Sequence, residues 1–237
     1  MSRAPAPAGY EPSAIIREER IGGQRLLLGD CLDIMPTLGR FGACVTDPPY
    51  GIGALMVGGT WAVTSGYHAM QKWDAEAPQE AVEMAVSLAD QSIVWGGNHF
   101  ILPSSRRWLI WNKIGSAPKM ADAEMAWTSM DAPTRLVSMH AGNGATGKER
   151  RQHPTQKPLA LMEWCLGFVP SAKTILDPFA GSGTTAVACE RMGRQCTAIE
   201  IDPDYFEVIC RRVDEATRQK DLFATTPEQP KQEAMEL

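Results

Sequence analysis

The sequence predicts an α/β fold, a doubly wound, mostly parallel sheet of seven strands with helices on both faces. Two observations carry this. Short apolar runs alternate with helix-period segments along most of the 237 residues, as βαβ units do. Several of those runs also stop at an aspartate, a glutamate or a glycine, where a strand would give way to a turn.

The strands are expected at Arg25–Leu28, Ala43–Thr46, Ser92–Trp95, Trp108–Trp111, Leu136–Met139, Thr174–Leu176 and Cys196–Ile199. The helices are expected at Leu32–Leu38, Gln79–Asp90, Leu159–Phe168, Thr184–Met192 and Pro203–Thr217. Residues 1–20, Pro/Ala-rich and then charged, read as a flexible arm, and 219–237 as a disordered tail. Ligands of such sheets bind beyond the carboxyl ends of the strands, so the residue after each strand matters most.

Thr174–Leu176 runs into "DPFAGSGTT", Asp177 to Thr185. Gly181 and Gly183 allow a sharp turn and close approach of a ligand, and the next helix offers free N–H groups. A phosphate-binding P-loop would need a lysine that is absent here. Cys196–Ile199 ends in "EIDPDY"; Glu200 lies about 20 residues past the glycines, the spacing of a carboxylate that holds ribose hydroxyls. Asp202 fits better as a helix cap. Asp30, after "LLLG", can accept from an adenine amine, although on its own it reads better as the cap of the helix near Leu32.

Ala43–Thr46 runs into "DPPYGIG". Pro48 and Pro49 fix φ and bar helix. They hold the Asp47 carboxylate and the Pro48 carbonyl as two rigid acceptors, with Tyr50 adding a flat face for a base. Two acceptors match the two hydrogens of an exocyclic NH2 group. Holding both from one side favours a pyramidal nitrogen and aims its lone pair at an electrophile, which is catalysis by positioning and electrostatics.

With these residues in view, the chain resembles an S-adenosylmethionine-dependent amino-group DNA methyltransferase. "DPPY" resembles the catalytic motif of enzymes that methylate adenine N6 or cytosine N4, and "DPFAGSGTT" their cofactor loop. "HPTQKP", His153 to Pro158, resembles the segment upstream of that loop in the β subgroup, and "GGNHF", Gly96 to Phe100, resembles phage-borne members. The resemblance implies a Rossmann-like catalytic domain over 21–218 with a small target-recognition insertion near 115–152. It implies that Asp47, Pro48, Pro49 and Tyr50 form the catalytic turn. Asp177, Phe179, Gly181, Gly183 and Thr184 would line the cofactor, with Glu200 on the ribose and Asp30 near the adenine. Lys157 would reach the methionine carboxylate. For His153 and Asn98 a core-facing or capping role is as good a reading. Double-stranded DNA is the expected partner, no metal is required, and a second subunit can lend recognition surface.

Adenine N6 is preferred because aspartate before Pro-Pro-Tyr is more usual in adenine enzymes of this family. Cytosine-N4 transfer, an RNA or other amine substrate, and a non-catalytic cofactor-binding regulator are the alternatives. Intact Asp47, Pro48 and Tyr50 speak against the last. A net charge of −5 counts against a broad nucleic-acid footprint and leaves phosphate contact to a local basic run, "KERRQHPTQK". No apolar run reaches membrane-spanning length and no signal-peptide layout opens the chain, so the expected location is cytoplasmic. Six scattered cysteines without zinc spacing read as reduced core thiols.

Overall fold

The computed structural model describes residues 14–51, 77–115, 121–140 and 156–224. One sheet of nine strands organises them, in the order β1-β2-β9-β8-β3-β4-β6-β5-β7. The strands are β1 (Arg17–Ile21), β2 (Gln24–Leu28), β3 (Phe41–Thr46), β4 (Ala89–Trp95), β5 (Trp108–Ile114), β6 (Ala123–Thr128), β7 (Arg135–His140), β8 (Thr174–Asp177) and β9 (Gln195–Glu200). The helices are α1 (Cys31–Ile34), α2 (Gln79–Ser87), α3 (Leu159–Leu166), α4 (Thr184–Arg191) and α5 (Pro203–Ala224).

All seven expected strands are present, and the count of seven is corrected by two more. β1, "REERI", pairs antiparallel with β2 and falls inside the span read as a loose arm. It carries charge on nearly every residue because it is a sheet edge, where solvent replaces the apolar alternation of a buried strand. β6, "AEMAWT", pairs antiparallel with both β4 and β5, within the span read as a recognition insertion. Two helix boundaries also move. α2 ends at Ser87 because Ala89–Trp95 joins the sheet beside β3, and α5 continues to Ala224. The Leu32–Leu38 helix is a single α turn followed by a 3-10 turn at Met35–Thr37, with Pro36 inside it.

The strands β2, β9, β8, β3 and β4 are mutually parallel. Their side chains alternate between two buried faces, which is why they read as near-continuous apolar runs. Ala43 and Val45 of β3 face the core covered by α3, α4 and α5, with Leu161, Ala186 and Phe206 among its members. Cys44 faces the other, beneath α1 and α2, with Ile34, Ala81 and Ala85. The six cysteines are free thiols, four of them fully buried.

This topology sets the position of the site. β3 and β8 are adjacent, yet β3 leads on to β4 on one side and β8 to β9 on the other. The winding therefore reverses between them, and a crevice opens beyond their carboxyl ends. β6 runs the opposite way, so its first residues, Ala123 and Glu124, lie at that same edge, with Glu124 registered against Trp111 of β5.

Candidate active site

The two loops singled out in the sequence meet at this crevice. Thr46, the last residue of β3, donates its hydroxyl to Asp177 Oδ1 at 2.7 Å, tying the ends of β3 and β8 together. Phe179 N–H donates to the same oxygen at 3.3 Å. Asp177 is buried, and burial pushes its carboxyl up to about 6.

Beyond Asp177 the chain turns through Gly181 (φ +53) and Gly183 (φ +76) before entering α4. A side chain at Gly183 would also strike Ile209, at 2.8 Å from a Cβ. Gly181 N–H donates to Glu200 Oε2 at 2.7 Å and Asp202 N–H to Glu200 Oε1 at 2.9 Å. The carboxylate at the end of β9 therefore cradles the glycine loop, and burial lifts it to about 7. Arg212 of α5 braces the loop from behind, donating to the Ser182 carbonyl, to Ser182 Oγ at 3.0 Å and to Thr184 Oγ1 at 3.3 Å. Thr184 is thus turned toward Arg212, and sequence reasoning missed that arginine. Phe179 packs at the edge of the core beside α1 and α2. Asp30 caps α1 by accepting from Leu32 N–H at 2.9 Å, and Asp202 caps α5 through Asp204 and Tyr205. The capping reading holds for both.

On the β3 side, Asp47 is pinned by two donors. Tyr50 Oη–H donates to Oδ1 at 2.7 Å and Lys157 Nζ to Oδ2 at 2.6 Å. Lys157, expected from the motif to reach a methionine carboxylate, here lies against Asp47. Its ammonium, in a side chain 7% exposed, also lies 3.2 Å from Tyr50 Oη and 3.0 Å from Glu124 Oε2. Burial alone would lower it, but Asp47, Glu124 and Tyr50 outweigh that and hold it well above the ordinary lysine range. Burial raises the Asp47 carboxyl, with Lys157 pulling the other way. Pro48 and Pro49 follow outside any helix or strand, with Pro48 buried.

The Tyr50 ring lies parallel to the His99 imidazole, 5.0 Å between centroids. Gly96, at φ +64, presses its backbone against the same ring; a Cβ there would stand 2.1 Å from Tyr50 Cε1. This gives "GGNHF" a local reason, since only glycine fits between the end of β4 and the Asp47–Tyr50 turn. Asn98 is exposed, which excludes a core-facing role. His153, Lys148, Arg150 and Arg151 lie outside the described residues.

The comparisons with known proteins accord with this geometry. Residues 104–211 match the family described as DNA methylase. The matched segment is a little under half of the chain. The match includes the glycine loop and Glu200 and begins after the Asp47–Tyr50 turn. Over 126 residues the chain is 31% identical to Type II methyltransferase M2.MboI of Moraxella bovis, covering 53% of this chain and 41% of the relative. It is 41% identical over 68 residues to Type II methyltransferase M.HpaI of Haemophilus parainfluenzae, covering 28% and 22%. It is likewise 41% identical over 70 residues to the DNA adenine methyltransferase YhdJ of Escherichia coli, covering 29% and 24%. Each match thus spans less than half of the relative. Among solved structures, the fold resembles the M1.HpyAVI–SAM complex, with TM-score 0.52 and 21% identity over 81% of this chain and 99% of that one. It also resembles the cytosine-N4-specific PvuII methyltransferase, with TM-score 0.51 and 14% identity over 85% and 92%. The Rossmann-like architecture of this chain is therefore shared with proteins related only distantly in sequence. Among the described residues no helix is long and apolar enough to cross a membrane.

Proposed function

We propose that the protein transfers a methyl group from S-adenosylmethionine to the exocyclic amine of a base flipped out of double-stranded DNA, with adenine N6 the preferred target. The supporting observation is the Thr46–Asp177 bond, which joins the amine-binding turn and the glycine loop across the switch point of the sheet. The residues present fit the cofactor. Gly181 and Gly183 take positive φ and turn the chain sharply at the carboxyl end of β8, and the buried Glu200 keeps lone pairs on both oxygens after accepting its two N–H groups. Glu200 would take the ribose hydroxyls, while Asp177, Phe179, Gly181 and Gly183 line the remainder. When bound, S-adenosylmethionine supplies an electrophilic methyl carbon.

The protein's own part is positional. The Asp47 carboxylate and the Pro48 carbonyl accept the two amine hydrogens, with Asp47 kept in one orientation by Lys157 and Tyr50. Tyr50, itself fixed by Gly96 and His99, offers the surface on which the base stacks. The base must leave the duplex because its amine is otherwise buried in the helix. Two features favour adenine: the aspartate before Pro48, and the likeness to YhdJ, a DNA adenine methyltransferase. The "HPTQKP" segment and the order of the motifs favour the β subgroup.

Incubation of duplex DNA with the protein and labelled S-adenosylmethionine, followed by digestion to nucleosides and mass spectrometry, tests this. Methyladenosine is expected. Asp47→Ala should lose on the order of 10² or more in rate while cofactor affinity is retained. Methylcytidine alone would overturn the choice of adenine, and full activity of Asp47→Ala would overturn the mechanism.

A further inference from the structure

The charge network around Asp47 reaches further than the catalytic turn. Lys113, on β5, donates to Glu124 Oε1 at 2.8 Å, and its side chain is only 5% exposed. Glu124, at the start of β6, meets Lys157 through its other oxygen at 3.0 Å. Lys157 then meets Asp47 at 2.6 Å. Four charges of alternating sign thus run in a line from the β5–β6 hairpin to the acceptor proposed to hold the amine. The hairpin register brings Glu124 beside the end of β5, and the antiparallel sense of β6 delivers it to the carboxyl edge. Lys157 also lies 5.6 Å from the centroids of both Tyr50 and Trp95, so its ammonium sits among rings and carboxylates.

Building such an array requires desolvating four ions. As a source of stability it is a poor choice, because apolar residues of the same volume often serve as well or better. Its geometry suits a different task. Without Glu124, the Lys157 ammonium would answer to Asp47 and Tyr50 alone and would be drawn wholly onto them. With Glu124 on its opposite side, it is held at a fixed point and shared between two carboxylates.

We propose that Glu124, held by Lys113, is a positioning residue for methyl transfer: it fixes Lys157, and through it the orientation and charge of Asp47. The inference rests on the methyl-transfer reading above. The charged and titratable groups facing Asp47 are Lys157 ahead of α3, Glu124 on β6, Tyr50 on its own turn, and Asp177 at the end of β8; Cys165 of α3 and His99 beside Tyr50 complete the surroundings. Of these, Glu124 raises the Asp47 carboxyl and Lys157 lowers it. Removing the Glu124 charge should therefore let Asp47 ionise at lower pH.

The test is Glu124→Gln, which keeps shape and removes charge. The maximal rate should fall on the order of 10-fold to 10²-fold, the scale of a displaced catalytic group. The acid limb of the rate profile should move to lower pH, and the KM for S-adenosylmethionine should stay the same. If Glu124→Gln does not fold, the double variant Lys113→Met/Glu124→Met removes both charges and strands neither of them. It should show the same slow rate and the same shift. An unchanged rate in a folded variant overturns the proposal. So does a slow rate with an unmoved pH limb, because that marks a structural role. Wild-type protein that transfers no methyl group to any DNA base would instead sink the functional reading on which the inference rests.

Discussion

Replacing Lys157 with methionine should separate the two jobs its ammonium performs. Two carboxylates, Asp47 and Glu124, meet that one nitrogen at 2.6 and 3.0 Å, and its side chain is 7% exposed. Without the cation they face each other roughly 5 Å apart, a repulsion of about 3 kcal/mol at an effective dielectric of about 20. Breaking a buried ion pair from one side costs about 3–5 kcal/mol, which for a domain of this size lowers Tm by roughly 6–20 °C. The strain is relieved by protonation. Asp47 is the group that gives way, because burial already raises it, whereas Lys113 still partners Glu124. A protonated Asp47 donates where it must accept, so transfer should fall and its acid limb should move to higher pH, opposite to the shift for Glu124→Gln. The sign for stability follows from the raised Lys157 value. The ammonium's contribution is complete below the ordinary lysine pKa of about 10.4 and is lost only as pH rises through the still higher folded value. Thermal melts and rate profiles of Lys157→Met beside wild type are the assay. A fall in Tm below about 2 °C with an unmoved acid limb would show that the ammonium does not hold Asp47.

Two further outcomes follow from the geometry of the turn and the loop. Gly96→Ala places a methyl group 2.1 Å from Tyr50 Cε1 at a φ of +64; it should displace the ring and cut methyl transfer by on the order of 10² with S-adenosylmethionine affinity unchanged in calorimetry, and wild-type transfer by this variant would refute the buttressing role of Gly96. Glu200, lifted to about 7 by burial, is about half protonated at that pH, and hydroxyl donors from a ribose favour its charged form, so cofactor binding should release up to about half a proton near pH 7. Calorimetry in buffers of different ionisation enthalpy measures that release, and Glu200→Gln retaining it would remove Glu200 from the ribose site.

The legible and illegible parts of the molecule divide along one physical line. The seven expected strands were readable because each is apolar on one or both faces, and burial writes itself into residue type. β1 escaped because its "REERI" meets solvent at the sheet edge, and β6 because its exposed first half carries a glutamate rather than an apolar alternation. The candidate site shows the same division. Asp47, Asp177, the glycines and Glu200 stand next to strand ends, so their place followed from local pattern. Glu124 and Lys113 entered only when the register of β5 against β6 was known, since nothing in their own neighbourhood marks them. Lys157 was singled out by its motif, but its protein partners were not legible there; only the fold shows two carboxylates from distant strands meeting it.

The four carboxylates of the crevice differ in their partners, and the difference follows the proposed chemistry. Asp47 and Glu124 share cations, and for Glu124 these outweigh burial and take it down to about 2. Asp177 and Glu200 receive only hydroxyl and N–H donors, so burial wins and lifts them to about 6 and about 7. A group raised in this way contributes stability that is complete below its unfolded value near 4 and is lost as pH rises through the folded value. At neutral pH the ligand-free loop therefore bears an electrostatic cost. A ligand that brings positive charge and hydroxyl donors to Asp177 and Glu200 relieves that cost, and S-adenosylmethionine carries both. On the Asp47 side a cation, Lys157, is already in place, which suits the proposed role of accepting the hydrogens of a neutral amine. Among the described residues Lys113 and Lys157 stand on the Asp47 side of the β3–β8 boundary and no lysine is paired with Asp177 or Glu200, an arrangement that would sort a cationic ligand from a neutral one.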